Sequence, residues 1–241
     1  MKIVCIIPAR YNSSRLPGKP LADICGKPMI WWVYNNVSSL SIFDKVVCAI
    51  DDERVEAVCR DLGMQYIMTS PDAPNHISRV WEVSERMEAD YYVCVNGDEP
   101  ALDPHNVSSM MPSAPSDDAF VMCAMRRLTD PAETVDFSKI KVVVDAKQRG
   151  IYMSRTPVPY PRGTLSFEYN KYVGIEVFNK KALNLFNIYE PGKVEVIEDI
   201  DHLRFIENRI PILFRYVDSE AISVDTPKDL DRVREMISKG L

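Results

Sequence analysis

Short, continuous apolar runs alternate with amphipathic stretches from the N-terminus to Pro100. Residues 3–7, 45–50, 65–68 and 91–95 have the length and β-branched content of strands buried on both faces. Between them, Met29, Ile30, Val33 and Val37 recur at helical spacing, which predicts a helix over 27–40 with Trp31 and Trp32 as packing residues. Residues 53–62 and 77–87 read as two further helices. Strands alternating with helices in this way predict an α/β fold with a mostly parallel central sheet, covered on both faces.

After Pro104 the pattern changes. Residues 120–125, 140–145 and 172–178 read as strands separated by connections containing Pro, Gly and Ser, notably 156–163. A smaller mixed β insertion over about residues 126–195 is expected there, forming a lid and a dimerisation face within a single domain spanning 1–241. Residues 194–208 read as one helix, 212–217 as a late strand and 227–238 as a closing helix. The last opens on Asp225-Thr226-Pro227, a capping residue before an early proline.

Composition adds mainly exclusions. A net charge of −6 and a pI near 5.2 argue against a nucleic-acid surface. No apolar run approaches a membrane span, and the stretch after Met1 is too short for a signal peptide, so no membrane insertion is expected. The six cysteines include no C-x-x-C pair, and Cys5, Cys48, Cys94 and Cys123 sit inside apolar runs. They read as free thiols used as small core residues in a reducing compartment, the cytoplasm. His76, His105 and His202 are scattered, and no His/Cys zinc site is expected.

Candidate chemistry concentrates in two places. The first is the loop that leaves the first strand, where Arg10, Arg15 and Lys19 are interleaved with Ser13, Ser14 and Gly18. Three cations on a loop outside the carboxyl end of a strand suit a polyphosphate. Pro17 and Pro20 shape the loop around its glycine. It is neither a Walker loop nor part of a G-x-G-x-x-G fingerprint. The second place is Asn96-Gly97-Asp98-Glu99-Pro100, which ends the fourth strand at the same sheet edge. Asp225 could approach from the far side, so that Asp98 and Asp225 together offer the few hard oxygens that Mg²⁺ prefers. Taken singly, Asp225 reads equally well as a helix cap and 97–100 as a turn. Asp51-Asp52-Glu53 reads as the acidic start of a helix.

These residues carry a resemblance. Residues 7–21 (IPARYNSSRLPGKPL), 26–30 (GKPMI), 97–100 (GDEP), 141–145 (KVVVD), Ser154-Arg155 and 224–230 (VDTPKDL) resemble, collinearly, the CMP-Kdo synthetases. These are the 3-deoxy-manno-octulosonate cytidylyltransferases. The resemblance implies a Rossmann-like nucleotidyltransferase fold, CTP and Mg²⁺ as requirements, and a homodimer. It further implies attack of the anomeric hydroxyl of an acid sugar on the α-phosphorus with loss of pyrophosphate, activating that sugar for lipopolysaccharide or capsule. Arg10, Arg15 and Lys19 would then bind the triphosphate, and Asp98 and Asp225 the metal, with Arg10, Lys19, Asp98 and Asp225 as the catalytic set. Pro8, Ala9 and Arg10, with Asn75 and Asn96, would complete the nucleotide site; Asn96 stands where the family usually has glutamine.

The acceptor side departs from the family pattern. Asn75-His76-Ile77-Ser78-Arg79 replaces Ser-Gly-Thr-Glu-Arg, Tyr172-Val173-Gly174-Ile175-Glu176 replaces His-Leu-Gly-Ile-Tyr, and Asp201-His202-Leu203-Arg204 replaces Glu-Gln-Leu-Arg. Arg79, Arg155, Tyr172, Glu176, Asp201 and His202 are the acceptor-side candidates. Glu176 in place of tyrosine costs energy beside a carboxylate-bearing sugar unless it is paired or protonated. Several readings stay open: an acceptor that differs from plain Kdo, bearing an amino group or lacking the polyol tail; another small anionic acceptor; a wall whose sequence drifts without changing specificity; or a non-catalytic nucleotide-binding regulator.

Overall fold

The structure is a computed structural model that describes residues 1–13, 15–164, 167–218 and 222–240; Ser14 of the basic loop lies outside the described residues. In chain order, β1 (Ile3–Ala9) runs through a 3₁₀ turn (Lys19–Leu21) into a small hairpin, β2 (Asp23–Ile24) and β3 (Lys27–Pro28). Then follow α1 (Met29–Ser38), β4 (Lys45–Ile50), α2 (Glu53–Asp61), β5 (Tyr66–Met68), α3 (His76–Ser84), β6 (Tyr91–Val95) and α4 (Pro104–Ser109). The second half comprises β7 (Val121–Arg127), α5 (Pro131–Val135), β8 (Lys141–Val144), β9 (Gly150–Ser154) and β10 (Asn170–Phe178). It ends with α6 (Lys180–Ile188), α7 (Lys193–Glu198), α8 (Leu203–Glu207), β11 (Ile212–Tyr216) and α9 (Pro227–Ser238).

The main sheet has the order β11-β7-β10-β6-β1-β4-β5, with β8 and β9 attached to β10. β1 is parallel to both β4 and β6, β4 to β5, and β11 to β7, whereas β10 runs antiparallel to its neighbours β6 and β7. The expected mostly parallel α/β sheet is what forms. The β8–β9 hairpin is antiparallel and continues this sheet, so the mixed region after β7 is not a separate layer.

Strand alternation explains why two cores exist. Along β1, Ile3, Cys5, Ile7 and Ala9 face one apolar layer with Val33, Val37 and Val55, while Val4 and Ile6 face the other with Ile77, Val80 and Phe186. A third, smaller cluster packs Leu230 and Val233 of α9 on Ile24 and Met29 beside the β2–β3 hairpin. This packing carries the chain from β11 back across the end of β1.

Two expectations are corrected. Residues 194–208 form two short helices rather than one, because Asp199 takes a left-handed conformation (φ 52°) and breaks the hydrogen-bond ladder. Asp225 is not the cap of α9. Thr226 is, in a capping box with Asp229, so the Asp225 carboxylate is left for other work. All six cysteines are free, five of them buried. Among the described residues no helix is long and apolar enough to cross a membrane.

Candidate active site

The basic loop is built by three local devices. The Tyr11 amide donates to Asp51 Oδ1 (2.9 Å), tying the loop to the end of β4. Gly18 takes a left-handed φ of 69°, and its amide donates to the Tyr11 carbonyl (3.1 Å), which closes the loop. The 3₁₀ turn that follows aims Lys19 inward. Asp51 is therefore more than part of an acidic helix start: Asp52 caps α2, while Asp51 reaches across the sheet edge.

Lys19 is where the far ends of the chain meet. Its Nζ lies 2.7 Å from Asp98 Oδ2, 3.2 Å from Asp225 Oδ1 and 3.0 Å from the Val224 carbonyl. Arg15 donates to the same Asp225 oxygen at 2.9 Å. The Val224 amide donates to the Asp98 carbonyl (2.8 Å), which pins the α9 entry beside the β6 exit. Burial alone would lower the Lys19 pKa, but the Asp98 and Asp225 carboxylates outweigh it and hold the ammonium above its ordinary range. Asp98 Oδ1 is buried with no hydrogen-bond partner, so one face of this carboxylate is ready for a further cation. Hard-cation coordination by Asp98 with Asp225 thus fits the donor set.

Glu99, next along, was not singled out by its sequence context. It is buried, accepts from the Gly174 amide (3.2 Å) and the Ser223 hydroxyl (3.4 Å), and burial, with the Asp98 charge adding, pushes its carboxyl up to about 7. It fastens the Asp98 turn to β10. Gly97 permits the same turn: a Cβ there would stand 2.7 Å from the Pro8 carbonyl oxygen, a backbone atom that cannot rotate away. Gly97→Ala is expected to push the Pro8–Arg10 segment off its position. The expected result is a fall in kcat/KM for nucleotide of at least about tenfold with circular dichroism unchanged.

These residues open on a cavity of about 370 Å³ at the carboxyl ends of β1 and β6. Pro8, Ala9, Arg10, Arg15 and Lys19 line one side of it, and Asn75, Asn96, Asp98 and Asp225 complete that half. Arg10 is exposed and makes no ion pair among the described residues.

The acceptor-side candidates divide. Arg79, Asp201 and also His76 line the cavity. Arg79 is nevertheless committed, donating to Asp51 Oδ2 (2.7 Å) and Thr69 Oγ1 (2.7 Å) in a buried position that braces the loop from below. Arg155 does not line the cavity; its guanidinium clasps the Glu198 and Asp199 carbonyls at the end of α7. Tyr172, Glu176 and His202 lie behind the wall. Glu176 is fully buried, with His76 Nε2 and His202 Nε2 each 2.9 Å from its Oε1 and the Tyr172 hydroxyl donating to the same oxygen. Burial opposes charge at both ends of this contact, yet the His76 imidazolium is pushed up to about 10 by Glu176 and Asp201, and the imidazoles hold the Glu176 carboxyl well below its usual range. The Glu176 charge is thus met inside the wall rather than turned towards the cavity. No short-range sequence signal links residues 76, 176 and 202; the antiparallel placement of β10 beside β6 does so.

Known proteins resemble this chain in sequence and in fold. A family profile described as Cytidylyltransferase matches residues 4–215. The chain is 37% identical over 240 residues to 3-deoxy-manno-octulosonate cytidylyltransferase of Escherichia coli, covering 100% of this chain and 98% of that one. It is 36% identical to the mitochondrial 3-deoxy-manno-octulosonate cytidylyltransferase of Arabidopsis thaliana, covering 98% of this chain and 83% of that one. Among solved structures, CMP:2-keto-3-deoxy-manno-octonic acid synthetase complexed with CTP superposes with a TM-score of 0.93 at 37% identity, covering 100% of both chains. An inositol-1-phosphate CTP transferase from T. maritima shares the fold, with a TM-score of 0.67 at 16% identity over 98% of this chain and 95% of that one. On full-length identity and superposition, this chain belongs to the 3-deoxy-manno-octulosonate cytidylyltransferase family, the CMP-Kdo synthetases.

Proposed function

We propose that this protein transfers CMP from CTP to the anomeric hydroxyl of Kdo or a closely related 3-deoxy-ulosonic acid, releasing pyrophosphate, with Mg²⁺ held by Asp98 and Asp225. The observation that carries this reading is Lys19 Nζ within 3.2 Å of both carboxylates, beside Arg15 and at the edge of the cavity. Before nucleotide arrives, Lys19 and Arg15 neutralise the two aspartates. As a triphosphate enters, both cations exchange carboxylate for phosphate oxygens. Arg10, already facing the cavity, adds a third positive charge, and Pro8, Ala9, Asn75 and Asn96 border the base. When bound, Mg²⁺ supplies Lewis-acid stabilisation of charge on the phosphoryl oxygens. The protein's own share is alignment of the acceptor hydroxyl with the α-phosphorus and a preset positive field for the departing pyrophosphate.

Pairing of Glu176 by two imidazoles and a phenol supports an acid-sugar acceptor, because the wall then presents no uncompensated Glu176 charge to the substrate carboxylate. The free thiols support a reducing, cytoplasmic setting. Val135, Phe137, Ile151 and Tyr160, all exposed apolar side chains on the elements after β7, support a homodimer face there.

The test is pyrophosphate release from CTP with Kdo as acceptor, with the adduct identified by mass spectrometry. Release that requires both Kdo and Mg²⁺ and stops with EDTA is expected. Absence of a CMP adduct with Kdo and with a panel of related 3-deoxy-ulosonic acids, in the presence of excess Mg²⁺, refutes the reading.

A further inference from the structure

The wall behind the cavity gathers an unusual donor set. His76 at the start of α3, Glu176 near the end of β10 and His202 just before α8 each offer one ligand atom, and these atoms all lie within 4.8 Å of one another. Both Nε2 atoms converge on one carboxylate oxygen at 2.9 Å, and the Tyr172 hydroxyl approaches the same oxygen from β10. Glu176 and His202 are shut off from solvent, whereas the His76 side chain keeps 26% of its surface exposed and lines the cavity.

Three features favour a metal over a merely charge-balanced cluster. The first is donor chemistry: two imidazole nitrogens with one carboxylate oxygen suit a borderline divalent cation such as Zn²⁺ or Co²⁺, whereas Mg²⁺ prefers oxygen alone. The second is the outer partner. His76 Nδ1 lies 3.5 Å from Asp201 Oδ2, so a carboxylate faces the ring nitrogen opposite the converging one, as it does around ligating histidines. The third is convergence. His76, His202 and Tyr172 come from three separate elements, and all three meet at one Glu176 oxygen.

We propose that His76, Glu176 and His202 bind a divalent first-row transition metal of the Zn²⁺ or Co²⁺ class, with Tyr172 as an adjoining oxygen donor and an open position towards the cavity on the His76 side. This site is separate from the Asp98–Asp225 pair, and the proposal stands whether or not Kdo is the acceptor.

The experiment is equilibrium dialysis of the full-length protein against Zn²⁺ in excess Mg²⁺, followed by elemental analysis. Visible absorption on titration with Co²⁺ provides a second readout. About one equivalent of Zn²⁺ per chain is expected in the wild type and in Asp98→Ala, and at least a tenfold weaker retention in His76→Ala. Because His76 borders the cavity, its truncation spares the core, and circular dichroism checks that the variant folds. Co²⁺ should give intense d–d bands in the wild type that disappear in His76→Ala. Failure of the wild type to retain Zn²⁺ and to develop Co²⁺ bands overturns the proposal. So does equal retention by folded His76→Ala, and so does loss in Asp98→Ala alone, which would place the ion at the nucleotide site.

Discussion

Lys19→Ala is expected to lower kcat by about a hundred- to a thousand-fold while the nucleotide-free protein binds Mg²⁺ more tightly than the wild type. Both effects follow from one nitrogen. In the free protein Nζ bridges Asp98 Oδ2 and Asp225 Oδ1, so it competes with any cation for those oxygens. Removing it leaves two carboxylates facing one another with, among the described residues, Arg15 alone as counter-charge, and a divalent ion becomes the better partner. On the proposed function the same nitrogen meets charge on the phosphates during turnover, so activity is expected to fall although metal binding improves. Lys19→Arg should not restore the rate, because a planar guanidinium cannot occupy the point between two carboxylates that a compact ammonium fills. Isothermal titration with Mg²⁺ and steady-state kinetics check the two halves separately. A variant with unchanged Mg²⁺ affinity and wild-type kcat would show that Lys19 is only a strut.

The half of this cavity that gathers Arg10, Lys19 and Asp98 was legible in the chain because its determinants are local. β1 and β6 announce themselves as apolar runs, and each delivers its chemistry within a few residues of its end: Arg10 to Lys19 in one case, Asp98 in the other. Asp225 was readable as a candidate because it follows a strand-like stretch near the C-terminus, and the capping role also open to it belongs to Thr226. What escaped was set by distance along the chain. Asp51 looked like one carboxylate among three at a helix start, yet it holds both Tyr11 and Arg79. β9, half-exposed in a hairpin, lacks the long apolar run that marks the central strands. α6 did carry a signal, since Asn179 directly precedes it and its side chain accepts from the Ala182 amide, but the signal sits immediately after β10 and reads as the strand's end. The break between α7 and α8 depends on a left-handed aspartate that no periodicity reveals. Glu176 appeared in sequence as a charge intruding on an acid-sugar pocket. Only the pairing of β10 beside β6, which aligns Glu176 with Cys94 and sets it opposite α3, shows how that charge is met.

Glu176→Leu should cost about 3–5 kcal/mol of folding stability, measured by urea unfolding in the presence of EDTA so that no metal contributes. The carboxylate is fully buried, and among the described residues it alone answers His202 Nε2, the Tyr172 hydroxyl and His76 Nε2. Replacing it with an apolar group of similar size keeps the packing but strands the His202 donor in a region that water does not reach and leaves the half-buried Tyr172 hydroxyl unpaired, which is more expensive than losing the hydrogen bonds themselves. For a chain of this length the loss corresponds to a fall in Tm of roughly 6–20 °C. The decisive comparison is Glu176→Leu combined with His202→Leu. His202 is 3% exposed, so removing its imidazole along with the carboxylate takes away a stranded buried donor. The double variant should therefore be more stable than Glu176→Leu alone, a non-additivity that contacting residues show and distant ones do not. Asp201 then decides how far the recovery goes. It keeps its contact with His76 Nδ1, so one imidazole remains charge-paired at the cavity wall while the interior behind it becomes apolar. If Glu176→Leu costs under about 1 kcal/mol, or if the second substitution adds its full cost to the first, Glu176 and His202 are independent packing residues rather than one ion network.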